Sequence, residues 1–354
     1  MLRAFGKWVA LTLCACASPA PTATPVQVDV GARSAAVSKS LSCSANSTRY
    51  VAPPGARTLV TPPPDRVVEI AEGRTRSSLL GPLAAVWASG GEVLAVGSGR
   101  LLRSRDGGLS FDDVTAPIPA RTIWGAERDR FLAGGASVAH SGDGGATWSV
   151  VEALPPDAIV ESITGDGSDV YAVGGTGDTI VAAHSRDRGA TFQPMALPVA
   201  RGWLGSVALR PHEVLVAGAE AGSPAVPLLL VSSDCGATWT RRPLPRSSEV
   251  HDRITALCAT EARIVVATTA AIHVLPDDGP PREPFEPGIA VRALACRGEE
   301  IVAGGRGGEL VRSADGGRTW AREAVGDPAV QGLLVADDGT VYAVGDALTR
   351  RSRP

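Results

Sequence analysis

Hydrophobic and polar residues alternate along most of this chain in short runs, and the runs keep a fixed order. An apolar stretch leads into a polar turn, then a run such as EVLAVG (92–97), then a short run ending in Ser. A turn built around Asp and one last short run complete the unit. Short β-branched and apolar runs bounded by Gly, Asp and Ser clusters read as strands rather than helices. The first unit is LAAVWAS (83–89), EVLAVGS (92–98) and RLLRS (100–104). Its second run recurs as RFLAGG (130–135), DVYAVGG (169–175), EVLVAG (213–218), RIVVAT (263–268), EIVAGG (300–305) and TVYAVG (340–345), seven copies in all.

The turns repeat more tightly still. SGDGGATW (141–148) has variants SRDGGLSF (104–111), SRDRGATF (185–192), SSDCGATW (232–239) and SADGGRTW (313–320). Repeats about 40 residues long, each holding four short strands, predict an all-β fold: a seven-bladed β-propeller of four-stranded blades. Two units lack a full turn. LPDDGPPR (275–282) keeps Asp277 and Gly279 but has lost the Ser, Thr and aromatic, and the last unit stops after Arg351-Ser352. The last blade therefore needs an outer strand from elsewhere, and Arg66 to Ile70 (RVVEI) is the expected donor. An N-terminal strand there closes the ring and leaves no open edge.

S-x-D-x-G-x-T-W resembles the Asp-box, or BNR, motif of β-propellers, found in sialidases and in many propellers that are not sialidases. The longer repeat, as in EIVAGGRGGELVRSADGGRTW (300–320), is similar to propellers of the photosystem II stability and assembly factor type, over about residues 66–354. The resemblance implies the fold; a photosynthetic role does not come with it, because fold alone does not carry function. The turn itself predicts a structural task. Asp106, Asp143, Asp187, Asp234 and Asp315 are placed to accept bonds from the amides of their own turns. Gly145 and its equivalents supply a left-handed backbone, and Trp148, Trp239 and Trp320 pack against the blade.

Composition narrows the rest. Apolar residues at 44 % and charged residues at 20 % suit a globular protein with a core, and 41 Gly with 27 Pro suit many tight turns. A net charge of −3 offers no electrostatic footprint for nucleic acid, and a monomer is expected. At the N-terminus, Arg3 and Lys7 precede a short apolar stretch ending Leu13-Cys14-Ala15-Cys16. This resembles a bacterial lipoprotein signal (1–16) with Cys16 as the lipidated residue, the alternative being an ordinary secretory signal cut nearby; Cys14 fits worse, since Leu13 would occupy its cleavage position. Ala17 and Ser18 follow Cys16, with no Asp at position +2. By resemblance to Gram-negative systems this points to the outer membrane, with a lipid anchor as the only membrane contact. Residues 17–50, rich in Ser, Ala, Pro and Thr, read as a tether, and 51–354 as the propeller. Export permits disulfides. Cys258 and Cys296 fall on equivalent strands of neighbouring blades, which leaves two readings open: a bridge, or two buried thiols.

Enzymatic chemistry finds little support in the residues. A sialidase, by resemblance, needs an arginine trio, a Tyr nucleophile with a Glu partner, an Asp acid/base and an Arg-Ile-Pro motif. The tyrosines are Tyr50, Tyr171 and Tyr342, and the last two share one slot in different blades, which points to packing. His140 and His184 occupy the slot that holds Arg103 and Arg312 elsewhere, so they are expected on a solvated rim; His212, His251 and His273 sit apart. No Cys or His pair has zinc spacing, and DGSD (166–169) and DDG (337–339) read as plain turns, so neither a metal nor a cofactor is expected. What remains is the channel mouth. Arg121, Glu161, Trp203, Arg253, Arg292 and Gln331 stand just before or within the first strands of six blades, with Arg121, Glu161 and Arg292 at equivalent positions. Exposed side chains converging on a rigid scaffold predict a binding surface for a protein or glycan, in an assembly or scaffold role without catalysis. The alternative is a carbohydrate-active enzyme of the Asp-box group using Glu161 and Asp252, which requires two carboxylates roughly 5–10 Å apart.

Overall fold

The computed structural model describes residues 67–70, 75–78, 80–222, 224–245, 253–324 and 329–351. The lipobox with Cys16, the tether, Tyr50, Arg66, His251 and Asp252 lie outside the described residues. Seven antiparallel sheets form seven blades. Their inner strands are Ala85–Ser89, Thr122–Ala126, Ile159–Asp166, Gly202–Arg210, Ile254–Thr260, Val291–Arg297 and Val330–Val335. Each inner strand touches the next, and the seventh touches the first, so the blades close into a ring.

Five blades have four strands, blade 5 has three, and blade 7 has five. Ring closure by the N-terminal segment is present, but through a different donor from the one the spacing predicts. Thr75–Ser78 pairs directly with Leu348–Arg351, and Val67–Ile70 pairs with Thr75–Ser78 as a further strand outside it. A hairpin, rather than a single strand, is added. RVVEI (66–70) is the more apolar run and carries the strand signal, whereas TRSS (75–78) lies nearer in the chain and carries none.

The core lies between blades. Trp124, Phe131, Val160, Ile163 and Val170 form one such cluster between blades 2 and 3. Fully burying a side chain of Leu or Phe size contributes roughly 1.5–3 kcal/mol, so seven such clusters account for the rigidity of the ring. On the inner strands, Trp87 reaches into blade 2 and its Nε1 donates to Gly125 O at 2.8 Å.

Turn aromatics extend these clusters. Phe111, Trp148, Phe192, Trp239 and Trp320 each pack, half-buried, on the cluster shared with the preceding blade. They are wedges between blades, more exposed than a core residue would be. The polar part of each turn is closed locally. Ser141 Oγ donates to Asp143 Oδ1 at 2.7 Å and accepts from Gly145 N at 2.7 Å. Asp143 Oδ1 accepts from the amides of Ala146 and Thr147 at 2.9 Å each, and Thr147 Oγ1 donates to Oδ2 at 2.6 Å. Gly145 has φ +88°, a conformation that glycine adopts without strain.

Blade 5 follows other rules. Its third strand, Ile272–Pro276, pairs inward with Arg263–Thr268, but on its outer side, among the described residues, it meets just a bridge to Phe285 and a bond from Arg282 N to Val274 O at 3.0 Å. Pro280, Pro281 and Pro284 interrupt that outer segment, and proline cannot donate to a ladder. Asp277 keeps its place in the turn but accepts Arg210 Nη1 of blade 4, at 2.6 and 2.7 Å, instead of its own amides. A disulfide joins Cys258 of blade 5 to Cys296 of blade 6, with Cα atoms 5.9 Å apart.

Candidate functional site: the channel mouth

Each blade runs its inner strand away from one face, its second strand back, and its third strand away again. The Ser-x-Asp turns therefore lie on one face, and the starts of the inner strands open on the other. That second face holds every residue singled out for the mouth.

A β-bulge sets their aim. In blades 3 to 7 the register shifts between Val160 and Ser162, Leu204 and Ser206, Ile254 and Ala256, Val291 and Ala293, and Val330 and Gly332. The extra residues are Glu161, Gly205, Thr255, Arg292 and Gln331. In blade 2, Arg121 N donates to Ala133 O at 2.8 Å, and Ala133 also faces Thr122. Two residues thus meet one there as well, which makes Arg121 the bulge residue of its blade. A bulge takes a side chain out of the ladder's regular alternation, and here it does so at one level in successive blades. The residue before each bulge is an apolar anchor: Ala120, Val160, Leu204, Ile254, Val291 and Val330 are all buried.

A glycine in the neighbouring strand makes room for this geometry. A Cβ on Gly134 would overlap the Pro119 carbonyl oxygen, and Gly174, Gly305 and Gly345 face the carbonyls of Ile159, Ala290 and Ala329 in the same way. This explains the final Gly of the EVLAVG-type repeat. Blade 5 carries Thr268 instead, whose hydroxyl bonds to Ala271 in the following turn.

The six mouth residues divide into two tiers. Arg121, Glu161, Arg292 and Gln331 share the bulge position, so the predicted equivalence holds and extends to Gln331. Trp203 and Arg253 stand two residues earlier in register, one step before the buried anchor, where blade 3 carries Ile159. Trp203 nevertheless reaches the bulge tier. Its blade has Gly205 as the bulge residue, and a Cβ there would run into the Trp203 ring. The indole fills the space that a side chain fills in the other blades. Neighbouring blades pair their bulge residues: Arg121 Nη1 lies 3.9 Å from Glu161 Oε1, and Arg292 Nη1 donates to Gln331 Oε1 at 3.3 Å. Ile159, 40 % exposed, is a mouth residue that the sequence reading passed over. Aligning the blades on their buried anchors, rather than on charge, would have found it.

The histidine slot departs from expectation. His140 and His184 do not sit on a solvated rim. His184 is buried, stacks on Tyr171 with ring centroids 4.2 Å apart, and its Nε2 lies 2.6 Å from Asp169 Oδ1. His140 does the same with Phe131 and Asp129, while Arg103 and Arg312 reach Glu92 and Glu300. The slot is shared by His and Arg because both meet the carboxylate that opens the second strand of the same blade. Burial pushes the His184 imidazole below its usual value against the pull of Asp169. A cavity of about 420 Å³ near His184, lined also by Asp187, Met195 and Cys235, opens at the outer edge between blades 3 and 4. It gathers turn residues from two blades, whereas the mouth gathers side chains from six.

Tyr171 and Tyr342 are buried, and Tyr342 OH donates to Gly107 O at 3.2 Å, so neither faces the mouth. No cluster of three or more potential metal ligands occurs among the described residues.

No family model matches this chain, and no curated protein does. Solved structures match it by fold. YCF48 bound to a D1 peptide is 17 % identical with a TM-score of 0.62, covering 82 % of this chain and 100 % of that one. YCF48 from Cyanidioschyzon merolae is 17 % identical with a TM-score of 0.59, covering 81 % and 98 %. A streptogramin B lyase is 13 % identical with a TM-score of 0.62, covering 80 % and 96 %. At such identities the likeness is one of fold, and it spans a protein captured with a peptide and an enzyme.

Proposed function

We propose that this chain is a non-catalytic propeller of the Asp-box group, held in the bacterial envelope by a lipid on Cys16, which binds a protein partner through the channel mouth. The observation that carries this reading is the bulge in successive inner strands, which presents Arg121, Glu161, Arg292 and Gln331 at one level around a rigid ring. Adaptable side chains on a fixed scaffold are the usual form of a binding surface. YCF48 has the same fold and was solved with a D1 peptide, which supports a polypeptide as the class of ligand. The five Ser-x-Asp turns, closed on themselves by hydrogen bonds, support membership of the Asp-box group and a structural role for the repeat. Against a glycosidase stands the setting of Glu161, which lies 3.9 Å from the Arg121 guanidinium, and both described tyrosines are buried.

Affinity capture from the native envelope tests the mouth. The double variant Arg121→Ala/Arg292→Ala is expected to melt with the parent and to recover its partner about tenfold less well. Undiminished recovery rejects the mouth. Lipidation is tested separately, since Cys16→Ala is expected to abolish palmitate labelling and release the protein from membranes.

A further inference from the structure

The mouth is uneven around its rim, and the unevenness is chemical. On blades 3 and 4, Ile159 and Trp203 hold equivalent positions on adjacent inner strands, one exposed and one half-buried, with the indole lying over Gly205. On the next two blades, Arg253 and Arg292 are exposed. Among the described residues, Arg253 enters no ion pair and Arg292 bonds only the neutral Gln331. Elsewhere among the described residues, arginines of this protein are mostly met by carboxylates: Arg121 by Glu161, Arg100 by Asp113, Arg322 by Glu309, Arg210 by Glu213 and Asp277. Two adjacent blades thus offer apolar surface, and the two that follow offer positive charge without a described acidic neighbour. An exposed apolar side chain beside arginines that no described carboxylate meets fits a ligand that is apolar at one end and acidic at the other.

We propose that the mouth takes an extended peptide bearing an aromatic residue followed by acidic ones, the ring seated on Trp203 and Ile159 and the carboxylates on Arg253 and Arg292. The arrangement uses Trp as an amphipathic anchor and Arg as a carboxylate fork, the residue types that dominate binding energy at interfaces. Attraction to the arginine side weakens as salt rises, while the apolar seat does not. This inference rests on the reading of the mouth as a protein-binding site and adds the chemistry of the partner.

Three fluorescein-labelled peptides, with cores Phe-Glu-Glu-Glu, Ala-Glu-Glu-Glu and Phe-Lys-Lys-Lys in Gly-Ser flanks, test it by fluorescence anisotropy against the full chain. The first is expected to bind about tenfold more tightly than either of the others, the increment that one seated aromatic or one matched charge pair supplies. Trp203→Ala is expected to erase its advantage over the Ala peptide, and Arg253→Ala/Arg292→Ala its advantage over the Lys peptide and its salt dependence. Trp203→Leu, which keeps an apolar seat and the fold, is expected to retain part of the first advantage. Equal binding of the three peptides, absence of binding, or preferences that survive in the variants would each overturn the proposal. If envelope capture still depends on Arg121 and Arg292 while the peptides bind alike, only this inference falls. Should capture ignore the mouth altogether, both fall.

Discussion

Blade 2 and blade 5 carry the same strand order but hold their edges differently. Blade 2 closes on itself: Ser141, Asp143 and Thr147 satisfy the turn, Trp148 wedges against blade 1, and the fourth strand Ser149–Glu152 completes the sheet. Blade 5 has lost that Ser, Thr, aromatic and fourth strand, and its stabilising contacts lie across its borders. Asp277 receives Arg210 from blade 4, Arg263 reaches Glu299 of blade 6, and Cys258 is bonded to Cys296. Phe285, from the irregular outer segment, stacks on the blade 6 wedge Trp320 at 4.7 Å. The difference shows that a blade lacking local stapling is kept in the ring by its neighbours.

Four measurements break or sharpen this contrast. Loss of the disulfide has the largest effect expected: Cys258→Ser/Cys296→Ser should lower unfolding free energy by about 3–4 kcal/mol in denaturant titration, as for a cross-link closing a loop of some 38 residues. A loss below about 1 kcal/mol would show that blade 5 does not depend on it. Trp148→Ala should cost about 2 kcal/mol, less than a fully buried Trp, because its ring is half exposed. Arg210→Ala should cost about 1–2 kcal/mol by leaving Glu213 and Asp277 without their partner, discounted because Asp277 is 36 % exposed. Gly145→Ala serves as the blade 2 counterpart and should lower the melting temperature, since alanine is strained at φ +88°.

Acid provides the last and smallest contrast. Bonds from the Thr191 hydroxyl and amide, then from Ser185, hold the Asp187 carboxyl down to about 2, and Thr238 and Ser232 do the same for Asp234. A carboxyl depressed on folding stabilises the native state above its unfolded value near 3.8, and that contribution is lost as pH falls toward 2. The melting temperature should therefore fall between pH 4 and pH 2, and Asp187→Asn should flatten the fall while lowering the plateau above it. An unchanged slope in Asp187→Asn would mean that the turn carboxylates do not carry the acid sensitivity.

Much of this was legible in the chain. The count of seven followed from the EVLAVG-type runs, and the turns from side chains that bond within a few residues of themselves, which is local chemistry. The wedge role of Trp148 is not visible in its own repeat because the cluster it packs on includes residues of the preceding blade, such as Trp87 and Leu94. The ring-closing strand Thr75–Ser78 is polar in sequence and is defined by its ladder with Leu348–Arg351, so it carries no hydrophobic pattern to mark it. The slot holding His140, His184, Arg103 and Arg312 reads as solvent-facing from residue type alone, because the carboxylate that each meets lies on the neighbouring strand. At the mouth, Arg121, Glu161 and Arg292 could be aligned by sequence, but the bulge that aims them, and the fold of Trp203 over Gly205, depend on backbone geometry.

The claim that the bulge ring is where a partner is held is tested most directly by photo-crosslinking in the native envelope. A photoreactive benzoylphenylalanine replaces Gln331 at the mouth in one strain and Ala146, exposed on the turn face, in another. A discrete protein adduct from position 331 and none from 146 is the predicted result. An adduct from 146 alone, or from neither position, would contradict it.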